Sequence, residues 1–215
     1  MVARRPRAEI DLNRDEREIE PATVAPPPPP GSVVQSLRTR SGLGLVPSRI
    51  AGAGAIWVRR IEQGELKRRI DEVHAPYHHA IAALLRAARA RFGIAVLLDC
   101  HSMPPGSGGD AKIVLGDRHG TSSAPDFVDA ALGTVRACGY AAAVNQPYAG
   151  GHVTARHGRP AGGIHALQLE IDRGMYLAED LRSPGPGFDA AARLIEAVAQ
   201  ALADRARGLP ALAAE

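Results

Sequence analysis

The 215-residue sequence predicts an α/β fold, a three-layer sandwich of helices around a mostly parallel mixed sheet. Three observations predict it. Apolar residues recur every three or four positions between residues 66 and 92, the period of a helix with one buried face. Two short apolar runs, residues 94–99 and 166–171, have the length and content of strands buried inside a sheet. Further helical stretches lie between and after those runs, and such alternation is the pattern of layered α/β packing.

Taken in order, residues 1–20 are dense in charge, and residues 8–13 could form a short strand. Residues 21–54 read as a Pro/Gly-rich extended loop. Its five consecutive prolines, 26–30, hold the backbone extended and exposed, and the Gly, Ser and Pro that follow allow only brief ordered pieces. The helical stretch covers residues 62–91, with Leu66, Ile70, Val73, Tyr77, Ile81, Leu84, Ala88 and Phe92 as its apolar stripe. Pro76 lacks an N–H and predicts a kink or a split within it, and Gly93 predicts its end. Strands follow at 94–99, 112–115, 140–144 and 166–171, with helices at 126–137 and 188–207. The length suits a single domain over residues 1–215, and no internal repeat is present.

Composition narrows the function classes. An apolar content of 45% fits a globular protein, and no apolar run of membrane-spanning length occurs, so no membrane partner is expected. Residues 1–7 are basic but lead into Glu9, Asp11 and Asp15 with no apolar core, which predicts no export signal and a cytoplasmic location. The net charge of +3 comes almost wholly from arginines scattered among 23 acids, and aromatics are 4%; nucleic acid is not the expected partner. Two cysteines, Cys100 and Cys138, are too few for a disulfide framework and are expected to be buried thiols. The phosphate-binding glycine motifs and the GxSxG elbow are missing from the sequence.

Active sites of open α/β sheets gather at the carboxyl ends of strands. Asp99 and His101, two apart after the run 94–98, point to one face; they suit a metal-binding histidine backed by a carboxylate, a catalytic base, or a hydrogen-bonded core histidine. Gln168 and Glu170 share the face opposite Leu167, Leu169 and Ile171. A carboxylate there is costly unless used, as a general base and acid or in an ion pair with Arg173. Near the N-terminus, Arg14 beside Asn13 offers a fork for a substrate carboxylate, or else a salt-bridged turn. Glycine-rich stretches at 106–110 and 145–151 read as flaps, and residues 154–160 add Arg156, His157 and Arg159. His74 and His78 are four apart on the helical stretch, formally a metal pair. Pro76 interrupts them and no HExxH pattern accompanies them, so they, with His79, His119 and His165, read as packing or surface residues.

Five segments in order, DLNRD (11–15), APYHHAIAALL (75–85), LLDCHSMPP (97–105), IVLGDRHGTSSAP (113–125) and VNQPYAGGHVTARHGRPAGGIHALQLEIDRGMY (144–176), resemble the N-formylglutamate amidohydrolase family. The resemblance implies a zinc-peptidase-like fold and hydrolysis of N-formyl-L-glutamate to formate and L-glutamate, late in histidine degradation. It implies a zinc cofactor with His101 as a ligand, Asp99 and Gln168 supporting the site, and Glu170 handling the proton of the attacking water. It implies Asn13 and Arg14 as the pair that binds a substrate carboxylate, with Tyr148 and Arg156 as further contacts. The expected partner is a small-molecule N-acyl amino acid. Alternatives are a related N-acyl amino acid or peptide hydrolase, and a carboxylate-binding remnant without turnover. Members of the family carry a His-Ser-Gly motif and a downstream acid that supply further zinc ligands, and this sequence has no His-Ser-Gly. The expectation is therefore a domain lacking its first strands, with an incomplete zinc site.

Overall fold

In the computed structural model, which describes residues 1–50 and 54–208, contacts gather into two units, Met1–Ala82 and Ala83–Glu215. Length alone leads to the expectation of one domain.

The first unit is poor in regular structure. Its elements are β1 (Val24–Ala25), α1 (Leu37–Arg40), β2 (Arg49–Ile50), β3 (Gly54–Ala55), β4 (Ile61–Glu62) and α2 (Gln63–Arg69). β1 pairs in parallel with β4, and β2 antiparallel with β3. Ile10, Val24, Leu45, Val46, Ile61 and Leu66 form its core. Residues 8–13 form turns and not the expected strand. The Asp11 carboxylate accepts from Asn13 N at 3.0 Å, a local bond that competes with extended pairing. The Pro/Gly-rich stretch holds only short ordered pieces; its residues 51–53 lie outside the described ones.

The predicted helix does not break at Pro76. α2 passes through a π-helical turn (Ile70–His74) into α3 (Ala75–Phe92). There Ala75 N–H reaches back five residues to Ile70 O. The wider turn relieves the clash of the Pro76 ring with the preceding turn, so the helix continues. It also rotates the buried face. Leu66, His74, His78, Ile81 and Leu85 are buried, while Leu84 and Phe92 of the expected stripe are 62% and 61% exposed. Gly93, at φ 75, closes the helix as expected.

The second unit contains β5 (Ala95–Met103), β6 (Ile113–Gly116), α4 (Pro125–Ala137), β7 (Ala142–Val144), α5 (His152–His157), β8 (Ile164–Asp172) and α6 (Phe188–Arg207). The sheet order is β5-β8-β6-β7. β5 with β8 and β6 with β7 are parallel, and β6 with β8 is antiparallel, a mostly parallel mixed sheet. Phe127 and Val135 of α4 and Leu194 and Val198 of α6 pack with Leu167, Leu169 and Ile171 of β8. Gln168, Glu170 and Asp172 alternate onto the other face, and α5 also packs on β8. β5 continues four residues beyond the predicted end, because pairing with β8 extends it through His101. Both cysteines are exposed, against expectation: Cys100 lies on the edge strand β5 and Cys138 caps α4. Among the described residues no helix is long and apolar enough to cross a membrane.

Candidate functional site

β5 and β8 lie side by side in register, Asp99 beside Gln168 and His101 beside Glu170. Parallel neighbours in register point the same way, so the four side chains form one polar block on a single face. His101 Nε2 lies 3.0 Å from Asp99 Oδ2. An ionised carboxylate only accepts, so this bond puts the ring proton on Nε2 and leaves the lone pair of a neutral ring on Nδ1. Gln168 Nε2 donates to Glu170 Oε1 at 3.0 Å, and both residues are buried. The amide thus fixes the direction of a carboxylate that is costly to bury.

α5 supplies the next groups. His157 is buried, and burial first, then the charges of Arg156, His152 and Arg159, pulls its pKa down to about 4, with Asp99 opposing. His157 is therefore a neutral imidazole at neutral pH. The pull from Asp99 ties the helix electrostatically to the polar block. Arg156 begins the last turn of α5, and its carbonyl accepts from Arg159 Nη1 at 3.1 Å. Tyr148 OH reaches Ser107 Oγ at 3.4 Å, a long bond that joins the two glycine-rich loops.

Asn13 and Arg14 lie in the first unit, and both are buried. Arg14 Nε donates to Leu43 O at 2.8 Å and Nη1 to Asn13 O at 2.7 Å, with Asp11 3.7 Å away. Burial lowers the pKa of this guanidinium, and Asp11 counters it. Two of its three nitrogens brace their own unit.

His74 and His78 stand with ring centroids 4.5 Å apart, both buried. His74 Nε2 is 2.9 Å from Arg14 O, and His78 Nε2 is 3.0 Å from Leu12 O. A carbonyl oxygen only accepts, so each Nε2 carries a proton, and in a neutral ring the lone pair lies on Nδ1; His74 Nδ1 also lies 4.0 Å from Glu16 Oε2. Metal-binding histidines are oriented by this kind of backbone bond. His74 and His78 are thus two candidate metal ligands within the first unit, and His101 is not grouped with them among the described residues. Sequence reasoning sets the first two aside because Pro76 separates them. The usable signal is their four-residue spacing, which the π-helical turn keeps on one buried face.

The comparisons with known proteins converge. Residues 1–177 match the family model described as N-formylglutamate amidohydrolase. The N-formylglutamate deformylase of Pseudomonas putida is 34% identical over 121 residues, 54% of this chain and 45% of that protein. Its Pseudomonas aeruginosa counterpart is 36% identical over 122 residues, 54% of this chain and 46% of that protein. The chain thus spans about half the length of these two relatives. Among solved structures, the N-formylglutamate amidohydrolase from Ralstonia eutropha superposes with a TM-score of 0.86 at 35% identity, covering 95% of this chain and 76% of that one. A gene product of Agrobacterium tumefaciens, 17% identical with a TM-score of 0.62 over 92% of this chain and 67% of its own, is alike in fold alone.

Proposed function

Because the chain belongs to the N-formylglutamate amidohydrolase family, we propose that it carries the hydrolytic site for the formyl amide of N-formyl-L-glutamate, releasing formate and L-glutamate. The observation that carries this reading is the register of β5 on β8, which makes His101 and Glu170 direct neighbours on one face. On this reading the reaction lies late in histidine degradation, in the cytoplasm.

Glu170 is the proton carrier. It accepts a proton from water as the water oxygen attacks the formyl carbon, and it delivers that proton to the nitrogen as the C–N bond breaks. Gln168 holds the carboxylate toward the substrate through the bond to Oε1. Arg156 and Tyr148 are proposed as further substrate contacts, and the role implied by resemblance for Asn13 and Arg14, binding one substrate carboxylate, is a proposal of the same kind.

The donor chemistry fits zinc, since His74, His78 and His101 are imidazoles with one ring nitrogen held on an acceptor, the support a metal-binding histidine takes. Two donor sets compete: His101 backed by Asp99, and the histidines His74 and His78. Bound zinc would acidify a water and polarise the formyl carbonyl.

The test is formate release by the purified, zinc-loaded chain. Glu170→Gln is expected to lower turnover by about 1,000-fold or more while zinc per chain stays constant. Turnover surviving that change would refute the assignment. Zinc content of His101→Ala beside His78→Ala decides which donor set is used.

A further inference from the structure

The turn between β6 and α4 plays no part in the chemistry above, yet it is held with unusual care. Arg118 and His119 both have left-handed backbones, φ 55 and 56. Residues with a Cβ rarely adopt that conformation unless their surroundings enforce it. Asn145 enforces it here. Its Oδ1 accepts from Asp117 N at 3.1 Å and His119 N at 3.4 Å, and its Nδ2 donates to Asp117 Oδ1 at 2.7 Å. Arg118 N–H donates to Ala149 O at 2.7 Å. Two glycines permit the approach. A Cβ on Gly116 would lie 2.7 Å from the Ala149 carbonyl carbon, and one on Gly150 would lie 2.9 Å from Arg118 Cγ. The Arg118 stem therefore crosses Gly150, just ahead of α5.

This brace presents a guanidinium that makes no ion pair or hydrogen bond with the described residues. Asp117, the adjacent acid, is occupied by Asn145. The register locates it: Gly116 pairs with Gln168, two positions from Glu170, and Gly150 leads into α5, which packs on β8.

We propose that Arg118 binds the side-chain carboxylate of an N-acyl glutamate and sets a preference for that acidic side chain over its neutral isostere. The inference rests on the proposed function of the Glu170 site. An arginine fork matches a carboxylate with two charge-assisted bonds, which a neutral amide cannot reproduce. Holding the backbone beforehand removes part of the ordering cost of binding.

Calorimetric titration of the 215-residue Glu170→Gln chain, which is not expected to turn the ligand over, tests this with N-formyl-L-glutamate and N-formyl-L-glutamine. The Glu170→Gln chain is expected to prefer the glutamate ligand. Adding Arg118→Gln should weaken that ligand by about tenfold or more and the glutamine ligand by less than about twofold. Arg118→Lys, which keeps the charge and loses the fork, should fall between. Asn145→Ala, which frees the turn, should erode the same preference with the circular dichroism spectrum unchanged. A preference that survives Arg118→Gln, or an equal loss for both ligands, overturns the inference and leaves the proposed function standing. Binding of neither ligand to the Glu170→Gln chain would sink the proposed function and the inference together.

Discussion

The two faces of β8 are almost equally hidden from water and are held by opposite physics. On one, Leu167 and Leu169 are 0% exposed and Ile171 3%; on the other, Gln168 is 3%, Glu170 8% and Asp172 0%. The apolar face is stabilised in proportion to the area it removes from water, about 2–3 kcal/mol for each fully buried leucine. The polar face gains only where a partner replaces the lost water. Burial alone would raise the pKa of Asp172, but the amides of Gly106 (2.9 Å) and Gly174 (2.8 Å) and the ammonium of Lys112 (3.2 Å) overcome it, holding the carboxyl below its ordinary range. Two residues earlier on the same face, Glu170 Oε1 accepts from the neutral side-chain amide of Gln168 at 3.0 Å. One face of one strand therefore carries a carboxylate locked as a structural anion beside the one proposed for proton transfer.

The contrast can be broken from either side. Leu169→Ala should cost the most stability, about 3–4 kcal/mol, because the packed core formed with α4 and α6 cannot close around the lost volume. Urea unfolding measures it, and a loss under about 1 kcal/mol would mean that this face is not a core. Asp172→Asn should cost about 2 kcal/mol, since the Lys112 ammonium and a backbone amide lose a charged acceptor. The sign in pH follows from the lowered pKa. The stability that Asp172 contributes is full above the ordinary carboxylate pKa and is lost as pH falls through the lower folded value, so the variant should lose that acid limb. Glu170→Gln should shift the unfolding midpoint by less than about 1 kcal/mol, in contrast to its effect on turnover.

These elements also show how far sequence reasoning reaches. The alternation of Leu167, Gln168, Leu169, Glu170 and Ile171 reveals both faces of β8, because a strand has a period of two and both partners lie within five residues. α6 is legible to its bounds, since twenty residues of amphipathic pattern outweigh any single position. That His101 stands beside Glu170 is not legible: register is set between strands separated by about seventy residues, and nothing local encodes it. For the same reason β5 is predicted too short; Cys100, His101 and Ser102 enter the strand only through β8. The π-helical turn escapes as well. Its cause is one proline, but its effect, moving His74 and His78 onto the buried face, depends on a helix that has other reasons to continue. Asn145 shows the limit most clearly, since its three bonds all go to residues at least 26 positions away.

His157 gives the finest test of how α5 rests on the polar face. Its pKa, near 6.5 in an unfolded chain, is drawn down to about 4 by burial and then by Arg156, His152 and Arg159, against the pull of Asp99. Between those values the unfolded chain binds the proton and the folded chain does not, so acid favours unfolding. The contribution is complete above pH 6.5 and is lost as pH falls toward 4. Allowing for partial solvent screening, it amounts to about 1–2 kcal/mol. His157→Asn should therefore flatten the stability curve between pH 6.5 and 4 and leave in place the limb below pH 4, to which Asp172 contributes. Urea midpoints at pH 7 and pH 4.5 for both proteins measure the difference. An unchanged slope in the variant would assign the loss to another group, and α5 would then not be sealed against β8 as tightly as the burial of His157 requires.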